Sequence, residues 1–110
     1  MTLFLSVNGQ SDKQIIEDAW VYLDSWTNYT KTDTVDLVKS WNTPTICIVS
    51  FEKGVYSASD ENGETKERGK WKIMKVDRDT FILINIDGGQ TIKFKIITVD
   101  NNLLKLKRVT

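Results

Sequence analysis

The chain has no histidine among its 110 residues, one cysteine and one proline. Histidine is the commonest general base and the commonest metal ligand, so no Ser–His–Asp or Cys–His set can be assembled. Cys47 alone permits no internal disulfide and no cysteine-based metal site. Its setting, ICIV, is apolar and points to a buried, inert thiol. No hydrophobic run approaches the roughly 20 residues of a membrane-spanning helix. Internal repeats, low-complexity tracts and linkers are missing too. No spacing of residues points to catalysis or to a cofactor, so the chain reads as non-enzymatic and cofactor-free. Net charge is also absent: 15 basic residues balance 15 acidic ones.

That balance hides an asymmetry. Residues 1–64 hold ten acids and four bases, whereas residues 65–110 hold five acids and eleven bases. Such a split marks a binding face, or two halves that meet and neutralise each other.

What is present is β-structure. The run TIKFKIITVDNNLLKLK, residues 91–107, alternates lysine with Ile92, Phe94, Ile96, Leu104 and Leu106. One face is apolar and the other basic, as in a half-buried antiparallel ribbon. Turn signals recur from residue 45 onward. Lys53-Gly54 sets Phe51 opposite Tyr56 and Val49 opposite Ala58. Asn62-Gly63 sets Tyr56 opposite Gly69, which leaves room for the Tyr56 ring. A three-residue turn, Asp77-Arg78-Asp79, sets Ile73 opposite Leu83 and Trp71 opposite Asn85. A two-residue turn, Gly88-Gly89, sets Leu83 opposite Phe94. Asp100-Asn101-Asn102 sets Ile96 opposite Leu106 and Lys95 opposite Lys107. These registers place Trp71, Ile73, Phe81, Leu83 and Phe94 inside. Met74, Ile82, Ile84 and Ile86 then lie outside, because the strand period is two.

Upstream, Trp20, Tyr22 and Trp26 share one face of a strand over residues 19–29. Ser11-x-x-Gln14 forms a capping box for a short helix. Asp33 or Thr34 caps a helical turn carrying Val35, Val38 and Trp41, which Pro44 stops. Residues 1–10 have two readings: a signal-peptide remnant, with Leu3-Phe4-Leu5 as its apolar tail, or a first strand. The remnant implies periplasmic or cell-surface export, the strand a cytoplasmic protein. Residues 11–110 form one domain. Seven or eight strands result, with one or two short helices in the N-terminal half. The expected architecture is all-β, an antiparallel up-and-down meander closing into a small barrel.

In this order the segments resemble a small bacterial lipocalin-like domain of the Bacteroidota type. The carrying residues are Trp20 on the first strand, Phe51 with Tyr56 in a hairpin, Gly69-x-Trp71, and Leu104-x-Leu106 on the closing strand. The resemblance covers about residues 15–109. It implies a lipocalin-like barrel and a cation–π contact of Arg108 across Trp20. The sequence departs from the family at Ala19, which stands where the family has a glycine before the tryptophan.

Two functional readings follow. In the first, the interior holds a small apolar ligand against Trp20, Tyr22, Trp26, Tyr56, Trp71 and Phe94. Its polar handles are Asp24, Glu67, Lys75 and Asn85. An eight-stranded barrel filled by its own side chains is the plain alternative. In the second, the chain is a protein-interaction module of the immunity or inhibitor type, or a homodimer. Its face is Lys72, Met74, Ile82, Ile84, Ile86, Lys93 and Lys95. On that reading Ile84→Asp leaves the fold intact and abolishes the complex. Lysine stems lying over the isoleucines are the plain alternative. Nucleic-acid binding fits poorly, because the aromatics alternate to the face opposite the lysines. Asp60-Glu61-Asn62-Gly63-Glu64 lacks calcium-loop spacing and reads as a hairpin turn.

Overall fold

The computed structural model describes residues 11–39 and 46–109. Ser11 caps helix α1, Asp12–Ile16. Its hydroxyl accepts the Gln14 N–H at 3.2 Å, and the Gln14 carboxamide accepts the Ser11 N–H at 3.0 Å. This is the expected capping box. Strand β1, Ala19–Tyr22, is followed by helix α2, Trp26–Lys31, and strand β2, Thr34–Val38. Six more strands follow: β3, Cys47–Glu52; β4, Val55–Ser59; β5, Thr65–Val76; β6, Asp79–Ile86; β7, Thr91–Val99; and β8, Leu103–Val109.

All neighbours are antiparallel, and the eight strands close into a barrel in the order β1-β2-β8-β7-β6-β5-β4-β3. From β3 to β8 the order is a strict meander. The first two strands close it in exchanged positions, with β1 between β2 and β3. Closure leaves no unpaired edge among the described strands for another chain to join. The lower rim carries α2, the 60–64 turn, the 87–90 loop and the end of β8. The upper rim carries α1 and the other hairpin turns.

Two upstream expectations are corrected. The strand expected over 19–29 stops at Tyr22, because Ser25 starts a helix. The Ser25 hydroxyl accepts the Asn28 N–H at 3.1 Å. Trp26 therefore rides on α2 rather than on a strand. The helical turn expected after Asp33 is instead β2. Its Val35 and Leu37 point inward and pair with Leu106 and Leu104. Alternating TVDLV with two β-branched valines outweighs the capping signal. The expected first strand, Trp41 and Pro44 lie outside the described residues.

The Lys53-Gly54 and Asn62-Gly63 hairpins have the expected registers, as does the β7–β8 pair. Two other turns differ by one residue each. Asp77 adopts φ 56°, which Asp tolerates better than most residues. The β5–β6 turn is then only Asp77-Arg78, and Ile73 faces Ile82. The β6–β7 loop is Asp87-Gly88-Gly89, closed by Ile86 N–H to Gln90 O at 2.7 Å. Ile82 therefore faces Phe94. The first turn is one residue shorter than expected and the second one longer. Their errors cancel on β7, so only β6 is turned over. Ile82 and Ile84 are fully buried, while Phe81 and Leu83 are half-buried on the outside.

Gly69 opposes both Tyr56 and Ile86. A Cβ there would overlap the backbone carbonyl of Asn85. The glycine thus makes room for the β6 backbone.

Candidate functional site

Inside the barrel, Trp20, Tyr22, Tyr56, Trp71 and Phe94 are buried as their strand parity requires. Phe51 lies 5.5 Å from Tyr56 and 5.2 Å from Trp71, centroid to centroid. Trp20 donates its indole N–H to the Ile16 carbonyl at 3.0 Å, which ties β1 to α1. The Trp71 indole N–H has no acceptor among the described residues. Leaving a buried donor unpaired costs about 1–3 kcal/mol.

Helix α2 closes the lower mouth. Its Tyr29 inserts between Tyr22, at 5.5 Å, and Trp26, stacked at 5.2 Å. Trp26 itself is half-buried. The Tyr56 hydroxyl donates to Glu67 Oε1 at 2.8 Å and lies 2.9 Å from the Tyr29 hydroxyl. A phenol has one proton to give, so the chain runs Tyr29 to Tyr56 to Glu67. Burial pushes both phenols well above the ordinary tyrosine range. They stay neutral and hold the plug rather than exchange protons. Burial likewise pushes the Cys47 thiol up to about 11, as expected of an inert cysteine.

Arg108 secures the plug from β8. Its Nη2 donates to the Tyr29 carbonyl at 2.8 Å and its Nε to the Thr32 carbonyl at 3.3 Å. The guanidinium lies over Phe94 at 4.9 Å and Tyr29 at 5.9 Å. The expected Arg108–Trp20 contact is absent, because the two residues sit at opposite ends of the barrel. Lys39 covers Trp20 instead, at 4.4 Å, and pairs with Asp18 at 2.8 Å. That bond holds the Asp18 carboxyl below the usual range.

The expected polar handles are not gathered in the interior. Asp24, Lys75 and Asn85 are exposed, and only Glu67 reaches inward. Asn85 turned outward with β6 and accepts from the Thr91 hydroxyl at 3.1 Å.

The outer wall of β5–β8 differs from the expected face in the same way. Ile82 and Ile84 belong to the core, and Ile86 packs against it from the inner side. Phe81 and Leu83 take their places outside. Two cross-strand rows result: Lys72, Leu83, Lys93, Val109, and Met74, Phe81, Lys95, Lys107. Met74, Phe81, Leu83 and Val109 are half-buried in rows shared with the lysines. The Lys93 ammonium lies 4.5 Å above the Phe81 ring. Lys95 pairs with Asp79 at 3.5 Å, which eases the like charge of Lys107 opposite it. Among the described residues, Lys70, Lys72, Lys93, Lys105 and Lys107 meet no carboxylate within ion-pair distance.

The surface grooves on the described part of the barrel include three beside charged residues. One, of about 380 Å³, lies on the outer wall of β3–β5 beside Ser50, Glu52 and Arg68. A second, near Glu17, Asp18, Glu52 and Lys53, is about 280 Å³. The third, at the lower rim between β7 and β8, is about 360 Å³ and holds Lys93 and Arg108. In the 60–64 turn the Asp60 carboxylate accepts the Asn62 and Glu64 N–H groups, both at 2.9 Å.

Comparison with protein-family models, curated proteins and solved structures gave no match. The site residues that sequence reasoning missed are Tyr29, Phe81 and Leu83. Ser25 three residues before Asn28 was the available signal for α2, and hence for Tyr29. The other two needed the turn lengths, which glycine and aspartate leave open.

Proposed function

We propose that this chain is a non-catalytic, lipocalin-like binding module whose working surface is the outer wall of β5–β8. The partner is a protein with an acidic surface. One observation carries the reading: an apolar strip, Met74, Phe81 and Leu83, stands among lysines that mostly lack carboxylate partners. An apolar centre with a charged rim of one sign favours association with a complementary surface. The close cluster of Phe51, Tyr56 and Trp71 inside supports a scaffold role for the barrel.

The test is native mass spectrometry on the chain recovered through a gentle tag from its own cells. The wild type carries a discrete protein-sized increment. Leu83→Asp, which adds a negative charge among the lysines, melts like the wild type and loses the increment. A doubled mass makes the partner a second copy and overturns the acidic partner. An added few hundred daltons on a monomer favours the small apolar ligand instead. That second reading rests on the Trp71 indole, the buried donor still free to bond a guest.

A further inference from the structure

The lower-rim groove is lined by Gln90, Thr91, Ile92, Lys93, Arg108 and Val109. It has two cations and no acid. Lys93 and Val109 also belong to the outer wall, so the groove is continuous with that surface.

Arg108 is unusually well fixed for a rim residue. Its Nε–Nη2 edge is occupied by two backbone carbonyls of the α2 region. Its flat face rests on Phe94. A guanidinium has five N–H donors in a rigid fork. Two are used, so Nη1 and the second hydrogen of Nη2 remain, the end-on pair. That pair matches the two oxygens of one carboxylate. Carbonyl partners carry no net charge, and no carboxylate lies within ion-pair distance of Arg108 among the described residues. The fork is held in place before any ligand arrives, so little side-chain entropy is lost on binding.

We infer that this groove is a carboxylate-binding site, with Arg108 as the two-pronged anchor; the Lys93 stem lines the groove, and its ammonium, resting over Phe81, swings in as the second charge when the ligand binds. The carboxylate can come from an acidic side chain of the partner proposed above or from a free small acid. The first source rests on that proposal, and the second does not.

The experiment is an NMR titration of the full chain in low salt, with succinate in one series and a short glutamate-containing apolar peptide in another. Saturable shifts are expected at the Arg108 side-chain N–H groups and along Gln90–Lys93. Lys93→Gln weakens binding about two- to five-fold, as a partly exposed charge should. Arg108→Lys keeps the charge but loses the fork, and weakens binding about ten-fold or more. Its fold is checked by its own amide spectrum. If the peptide binds more tightly than succinate and also shifts Phe81 and Leu83, the carboxylate comes from a protein partner. If succinate binds equally well and Phe81 and Leu83 stay still, the groove stands and the protein-partner reading fails. Shifts that never saturate, or that are equal in the wild type and both folded variants, overturn the site.

Discussion

Strand β6 has two apolar faces with opposite fates. Ile82 and Ile84 are fully buried, against Ile73, Trp71, Phe94 and Ile92. Phe81 and Leu83, one position away, lie half-covered outside by lysines. Neither pair announces its side by composition, since all four residues are good strand formers. The side is set by the two turns, one of which relies on Asp77 at a positive φ. A hydrophobic residue on a barrel strand is therefore no guide to the core where both faces are apolar. The turn lengths decide which face becomes the surface that other molecules meet.

Breaking the inner face should have the largest effect. Ile84→Asp puts an unpaired carboxylate among core side chains and should cost about 4 kcal/mol or more, enough to unfold a domain of this size. Loss of the near-ultraviolet signal and of the thermal transition would show it. This reverses the expectation that Ile84→Asp folds and merely loses a partner. Next comes Gly69→Ala, which drives a methyl into the Asn85 carbonyl and forces β6 away from β5. A loss of about 3 kcal/mol is expected in denaturant unfolding. Smaller again is Tyr56→Phe. It leaves Tyr29 and Glu67 without their shared partner and should cost about 1–2 kcal/mol, with faster amide exchange in α2. The smallest stability effect belongs to Leu83→Asp, within about 0.5 kcal/mol in the same unfolding assay. The gap between Leu83→Asp and Ile84→Asp sharpens the comparison, because adjacent residues receive the same new charge.

Much of the barrel was legible from residue patterns. Alternation in 91–107 and the Asn-Gly and Lys-Gly turns specified β3–β5 and β7–β8 with correct registers. Those segments have one polar and one apolar face, so a slip would bury serine, glutamate or lysine. On β6 a slip exchanges isoleucine for phenylalanine and leucine, and the pattern resists it weakly. The lower-mouth plug was hidden for another reason. Tyr56 and Glu67 meet across the β4–β5 hairpin, but Tyr29 and Arg108 join them only when β8 closes onto β2, and sequence spacing carries no trace of that. The cation–π contact expected of Arg108 is made with Phe94 rather than Trp20, because β1 and β8 place Trp20 and Arg108 at opposite rims. The outer lysines were read correctly as a wet face. The apolar residues among them were not, since these belong to β6.

The most direct test is solvent paramagnetic relaxation of the methyl groups, using a soluble gadolinium chelate on the native chain. The Leu83 methyls should broaden strongly while those of Ile82 and Ile84 stay sharp. Broadened Ile84 methyls beside protected Leu83 methyls would return β6 to the opposite register and remove Phe81 and Leu83 from the proposed binding wall.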